Sequence, residues 1–340
     1  MPVTGEQRRP ALLQMKLGVL AKQHWASGGV AGSFPSGATL LDADAHTAWV
    51  LVEQPDYRVL GQALAWTLRH GATELHLLLE ADGETGGFVA RRAAAFATPV
   101  RVWRVDGRDI AEIPPAPFSL PRALPPEAVA FADLLRAHGA DPVVEWGVLT
   151  GEVLGLEVAR VVTDDGPARL EVGVGRHDRV AQRLLFPDRP VEVALAQAVD
   201  TVRRLRADGA QPHLANTLAT ERWLRSVVVA HPELVGAAHL APAPPLVHRG
   251  DLRQPVAAPA AGVDRHDRPL VAVCSTGIDL DAVPAAADAR LADGRAGCRV
   301  IVAVPPGDDH PVTRALAADL RDPAEVVTVA ADWRGLSTVA

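Results

Sequence analysis

The densest grouping of residues able to do chemistry lies near the middle of the chain. Glu152, Glu157 and Glu171 fall in or beside strand-like runs there, and Arg176, His177, Asp178 and Arg179 follow directly. Strand residues alternate between two faces, so two facing strands can bring Glu157 and Glu171 to one side of a hairpin. Hard carboxylate oxygens gathered in that way bind Mg²⁺ or Mn²⁺ and activate water, which makes Glu157, Glu171 and Asp178 candidate metal ligands. Arg176 and His177 are then the candidate catalytic groups beside a phosphate. A plainer explanation runs alongside. In Leu156-Glu157-Val158 and Leu170-Glu171-Val172 a carboxylate turned inward needs a partner, and Arg160, Arg169 and Arg176 are close enough in sequence to supply one.

A helix, a hairpin with acidic residues on adjacent strands and a following helix resemble the core of the PD-(D/E)xK nuclease-like superfamily. In that resemblance Glu157 stands in the place of the first carboxylate and Glu171 in that of the second. It implies a metal-dependent phosphodiester hydrolase. The chain departs from the pattern two residues after Glu171, where Gly173 replaces the lysine, so Arg176 or His177 must substitute from a different place or the fold is inactive.

Other motifs carry less. Gly173-Val174-Gly175 follows a strand but lacks the longer glycine patterns of phosphate loops, and with Lys16 and Lys22 the only lysines no Walker lysine follows. The segments 80–84 and 275–279 each join a strand to a helix, where open α/β sheets place ligands; Asp279 and Asp281 also suit the capping of the next helix. Arg203, Arg204, Arg206, Arg222 and Arg225, around Trp223, are expected on solvated helix faces. The histidines make no HxxxH pair, and Ser275 lacks the flanking glycines of a hydrolase elbow.

The elements that must position these groups read as follows. Strand-like runs at 38–41, 48–52, 75–79 and 100–105 enclose amphipathic helices at 57–70 and 88–96, an order repeated near the other end by strands at 270–274, 300–304 and 326–329 with helices at 282–291 and 312–320. The near-constant offset suggests an internal repeat. Pro-rich segments at 114–126 and 242–259 mark boundaries, which divides the chain into an N-terminal α/β unit (1–113), a middle hairpin-plus-helices segment (127–241) and a C-terminal α/β unit (260–340). The middle hairpin is expected over 153–162 and 170–174 with a turn at 163–166, flanked by helices at 127–137, 191–207 and 214–229. The fold class is therefore α/β, with two βαβαβ units near the termini flanking a middle α/β segment with a β-hairpin.

Composition bounds the function. With 340 residues, 48% hydrophobic and 22% charged, the chain should fold, with more than one core. A formal net charge of −7 disfavours broad attraction to nucleic acid, leaving a small molecule or a protein equally open as partner. Two cysteines at no metal-ligand spacing, no signal-like apolar run and no membrane-length segment lead to the expectation of a soluble, cytoplasmic protein. Three functions stand: a metal-dependent, nuclease-like hydrolase using the paired carboxylates, a non-enzymatic α/β protein that senses a ligand or binds a partner, and another small-molecule enzyme whose site lies at the strand ends around Ser275 to Asp279.

Overall fold

The computed structural model describes residues 5–80, 83–119, 122–163, 166–245 and 247–338. They form two compact units, Met1–Phe118 with His310–Ala324 and Ser119–Asp309 with Glu325–Ala340. Residues 1–4, Ala81, Asp82, Asp164 and Asp165, together with Leu120, Pro121 and Leu246 of the Pro-rich segments, lie outside the described residues.

The first unit runs α1 (Gly5–Trp25), β1 (Gly29–Phe34), β2 (Gly37–Asp42), β3 (Thr47–Val52), α2 (Val59–Arg69), β4 (Glu74–Leu79), α3 (Gly83–Ala93), β5 (Val100–Asp106) and β6 (Asp109–Glu112). Its six strands lie in sequential order, with β3, β4 and β5 parallel and the outer pairings antiparallel. Runs such as Trp49-Val50-Leu51-Val52 are buried on both faces, as central parallel strands require. Leu13, Leu17 and Leu20 recur at helical spacing on α1 and pack over Leu40, Trp49, Leu51 and Leu78. Beside them His76 is buried among Trp25, Trp49 and Trp103, and its Nδ1 accepts the Trp103 indole N–H at 3.0 Å. Burial lowers His76 to about 4, so it is neutral at physiological pH.

The second unit contains α4 (Pro126–Val129), α5 (Phe131–Ala137), β7 (Asp141–Glu145), β8 (Val148–Val153), β9 (Leu156–Val162), β10 (Arg169–Val172), α6 (Gly175–Leu185), α7 (Val191–Leu205), α8 (Thr220–Ala230), β11 (Ala237–Pro242), β12 (Ala258–Asp264), β13 (Pro269–Cys274), α9 (Ala282–Asp293) and β14 (Arg299–Val304). The next helix, α10 (Pro311–Ala318), belongs to the first unit, where the Asp319 carboxylate accepts the Thr98 hydroxyl at 2.9 Å; β15 (Glu325–Thr328) completes the second. Strands β10-β9-β8-β7 make an antiparallel sheet, and β11 to β15 make a second sheet in sequential order with β13, β14 and β15 parallel. Helices α5 and α7 cover the first of these sheets through Leu135, Leu195, Val199 and Val202, and α8 covers the second through Leu224, Val227 and Val228.

The protein is thus an α/β protein, and both expected strand–helix–strand–helix–strand successions are present. The strand and helix signals of the sequence leave out β1, β6, β7, β8, α6, β11 and β12. The hairpin at 153–162 and 170–174 is the outer half of a four-stranded sheet. Pro242 and Pro259, at the two ends of the expected linker, are strand residues. Among the described residues no helix is long and apolar enough to cross a membrane.

Candidate functional site

Three adjacent strands of the antiparallel sheet each contribute one carboxylate, and each carboxylate accepts from two arginines. Glu152 on β8 binds Arg222 at 3.0 Å and Arg225 at 2.9 Å. On β9, Glu157 is held by Arg160 at 2.9 Å and Arg179 at 2.6 Å. Glu171 on β10 takes Arg169 at 3.2 Å and Arg183 at 2.8 Å. A register shift leaves Val158 unpaired between the pairs Glu152↔Glu157 and Gly151↔Ala159. That bulge changes the phase of β9, and Glu157 and Arg160, three residues apart, meet on one face.

The innermost pair closes into a ring. Arg222 and Arg225 are one turn apart on α8, and both also reach Glu145 at the end of β7, Arg225 at 3.2 Å and Arg222 in a shorter contact. All four side chains are buried. Burial pushes the Glu152 carboxyl up against the pull of Arg225 and Arg222, while for Arg225 the charges of Glu152 and Glu145 outweigh burial and raise it. For Glu157 burial acts upward, yet the hydrogen bond and charge of Arg160, with Arg179 and Arg222, hold it below the usual carboxylate range.

The expectation of solvated helix faces is therefore corrected for Arg206, Arg222, Arg225 and Trp223, all of them buried. Arg206 donates to the carbonyls of Leu154, Ala215 and Leu218 and stacks 4.5 Å from the Trp223 ring. Burial lowers it to about 10, so it stays charged at neutral pH. The approach of the sheet to α8 requires Gly155. Its φ is +77°, and a Cβ there would lie 2.2 Å from the Arg222 carbonyl carbon.

Gly173 has a related reason. At φ +146° a Cβ would stand 2.7 Å from the Arg179 backbone nitrogen, so the position that the nuclease pattern gives to lysine is closed to any side chain. The end of β10 can then turn tightly into α6, whose first turn is closed by Asp178 accepting the Val174 N–H at 2.8 Å. Arg176 and His177 are exposed on that turn, facing a cavity of about 730 Å³ together with Glu157. Glu171 and Asp178 do not line it.

Of the residues expected to ligate Mg²⁺ or Mn²⁺, Glu157 and Glu171 thus hold arginines and Asp178 holds a backbone amide. Among the described residues no group of three or more His, Cys, Asp or Glu side chains is placed to hold a metal ion. A divalent cation does not fit this arrangement unless the guanidinium groups leave.

The cavity draws on residues that the sequence reading passes over. It is lined by six arginines (160, 176, 179, 222, 249 and 253) against three carboxylates, Glu145, Glu157 and Asp251. Arg249 matters most. Its side chain is only 6% exposed, its Nη2 donates to the Val256 carbonyl at 3.2 Å and lies 3.6 Å from Glu221, and its Nε and Nη1 have no hydrogen-bond partner among the described residues. Burial and the nearby charge of Arg222 lower its pKa. Trp146 Nε1 is buried there and also lacks a partner among the described residues.

The loop at 275–279 is tied down. Gly277 N–H donates to Asp308 at 2.7 Å, Thr276 meets the Thr220 hydroxyl at 2.6 Å, and Asp279 accepts the Asp281 N–H at 3.0 Å, ordering the entry to α9. The side chain of Asp281 makes no cap hydrogen bond. Glu80, at the other strand-to-helix loop, pairs with Lys16 at 2.6 Å.

Comparison of the chain with family models, with curated proteins and with solved structures yields no match.

Proposed function

We propose that the second unit is a ligand-binding module whose cavity between α6, β9 and the 248–253 loop takes a phosphate-bearing anion. The observation that carries this reading is Arg249, a nearly fully buried guanidinium with two donor nitrogens unpartnered among the described residues, in a cavity where arginines outnumber carboxylates two to one. Buried donors left unpaired weigh against the fold unless a bound group or water takes them up. A tetrahedral oxyanion suits donors arriving from several directions. The first turn of α6, with Arg176 and His177, adds N–H groups and a favourable dipole. That such a cavity sits in a chain of net charge −7 means its field is local rather than a by-product of overall charge.

The test is thermal and urea unfolding of the full chain with and without pyrophosphate, in the wild type and in Arg249→Gln. Pyrophosphate should stabilise the wild type by about 2.7 kcal/mol when present at a hundred times its Kd, raising its midpoint, and leave the variant unmoved. No shift in the wild type refutes the reading. The same plates carry Mn²⁺ as a separate arm. A midpoint raised by Mn²⁺ alone and lost in Glu157→Ala/Glu171→Ala would favour the metal-dependent phosphodiester hydrolase instead, with Glu157 and Glu171 released from their arginines.

A further inference from the structure

Trp146 occupies a backbone position that disfavours it. It and Gly147 are the two central residues of the turn joining β7 to β8, closed by the Glu145↔Val148 pair, with φ of +55° and +74°. Turns of this kind take Asn-Gly or Gly-Gly, because a bulky side chain at positive φ crowds its own backbone. The usual compensation for a misplaced tryptophan is core packing. Trp146 belongs to neither of the clusters of buried residues that α7 and α8 cover among the described residues. Its indole instead lines the arginine-rich cavity with the buried N–H unpartnered among the described residues, and the His248 ring stands edge-on at 6.1 Å. Strain held at a ligand-facing position without a packing return is a mark of function.

We infer that the ligand is a nucleotide, its phosphate taken by Arg249 and the first turn of α6 and its base stacked on the Trp146 indole face. The inference rests on the anion-binding reading and adds the planar ring. Aromatic side chains accept any base through its π-face, so the site is tolerant of base identity. At about 730 Å³ the cavity lies in the range of small-molecule sites and has room for base, sugar and phosphate. A free nucleotide and one residue of a single strand present the same chemistry.

Calorimetry on the full chain tests this with ribose 5-phosphate, the four nucleoside 5′-monophosphates and a six-nucleotide single-stranded RNA, for the wild type and Trp146→Asn. Asparagine suits the turn, so this variant keeps the fold, and its unfolding midpoint should equal or exceed that of the wild type. Nucleotides should bind the wild type about ten- to a hundredfold more tightly than ribose 5-phosphate, quenching tryptophan fluorescence, and Trp146→Asn should erase the difference while still binding ribose 5-phosphate. If the base adds nothing, or its contribution survives in Trp146→Asn, the nucleotide inference falls and anion binding stands. If no phosphate compound binds, both fall. Tighter binding of the RNA than of its mononucleotide identifies a strand as the source, and equal or weaker binding identifies the free nucleotide; each of these upholds the inference.

Discussion

Arg225→Met removes one corner of the buried ring, and its effect can be worked from the contacts. Arg225 is 1% exposed and donates to Glu145 at 3.2 Å and Glu152 at 2.9 Å. Methionine fills much of the space, so little cavity term arises. Two charge-assisted hydrogen bonds are lost, and two buried carboxylates are left to share Arg222. Removing one partner from a buried ionic cluster destabilises by about 3–5 kcal/mol, chiefly because the remaining charge is uncompensated. The double variant Arg225→Met/Glu152→Leu leaves Glu145 and Arg222 as a one-to-one pair and should be about 2–3 kcal/mol more stable than Arg225→Met alone. Urea unfolding followed by far-UV circular dichroism reads both numbers as midpoint shifts at unchanged slope. A loss below about 1 kcal/mol for Arg225→Met, or a double variant as unstable as the sum of its singles, would refute the ring as a coupled unit.

Three further predictions follow from single positions. Gly155→Ala combines a positive φ with backbone overlap at Arg222 and should destabilise by about 2–4 kcal/mol, whereas Gly209→Ala, at φ +70° in open space, should lose only about 1 kcal/mol in the same urea assay. His76 has its proton affinity lowered from 6.5 to about 4. The unfolded chain therefore binds the extra proton first, and stability complete above pH 6.5 should decline as pH falls toward 4, by about 3 kcal/mol more in the wild type than in His76→Gln. A parallel pH profile for the two proteins would exclude His76 as the cause. Burial pushes Cys274 up to about 12 and Cys298 up to about 11, so neither thiol should react with a disulfide reagent at pH 8 until denaturant is added. Labelling of the native chain at the rate of free cysteine would contradict the burial of these strand ends.

The parallel cores were legible because their signal is local. Leu75 to Leu79 and Val300 to Val304 are short apolar runs bounded by turns, and β4 and β14 occupy them. The strands β7 and β8 were not, since Asp141-Pro-Val-Val-Glu145 mixes charge with proline, and a Trp-Gly pair stands where Asn-Gly would announce a hairpin. In β12, Ala258 and Pro259 fall in the expected linker and Ala260-Ala-Gly262 gives no strand signal, because alanine and glycine are poor strand formers. It is a strand because its backbone pairs with β11 on one side and β13 on the other.

At the site, alternation alone would have put Glu157 and Arg160 on opposite faces, and the unpaired Val158 reverses that. The arginines of α8 show why composition misleads more than pattern does. Arg222, Trp223 and Arg225 look like a solvated basic face as long as the carboxylates that answer them, Glu145 and Glu152, are some 70 or more residues away in sequence and the strands carrying them are unrecognised. A buried arginine is readable only through its partners. Arg249 carries the same reasoning one step further: it has a partial partner in Glu221 and two donor nitrogens without any among the described residues. In a sheet where Glu145, Glu152, Glu157 and Glu171 each hold two guanidinium groups, a guanidinium left with donors to spare among the described residues is the place where a charge from outside the chain completes the pattern.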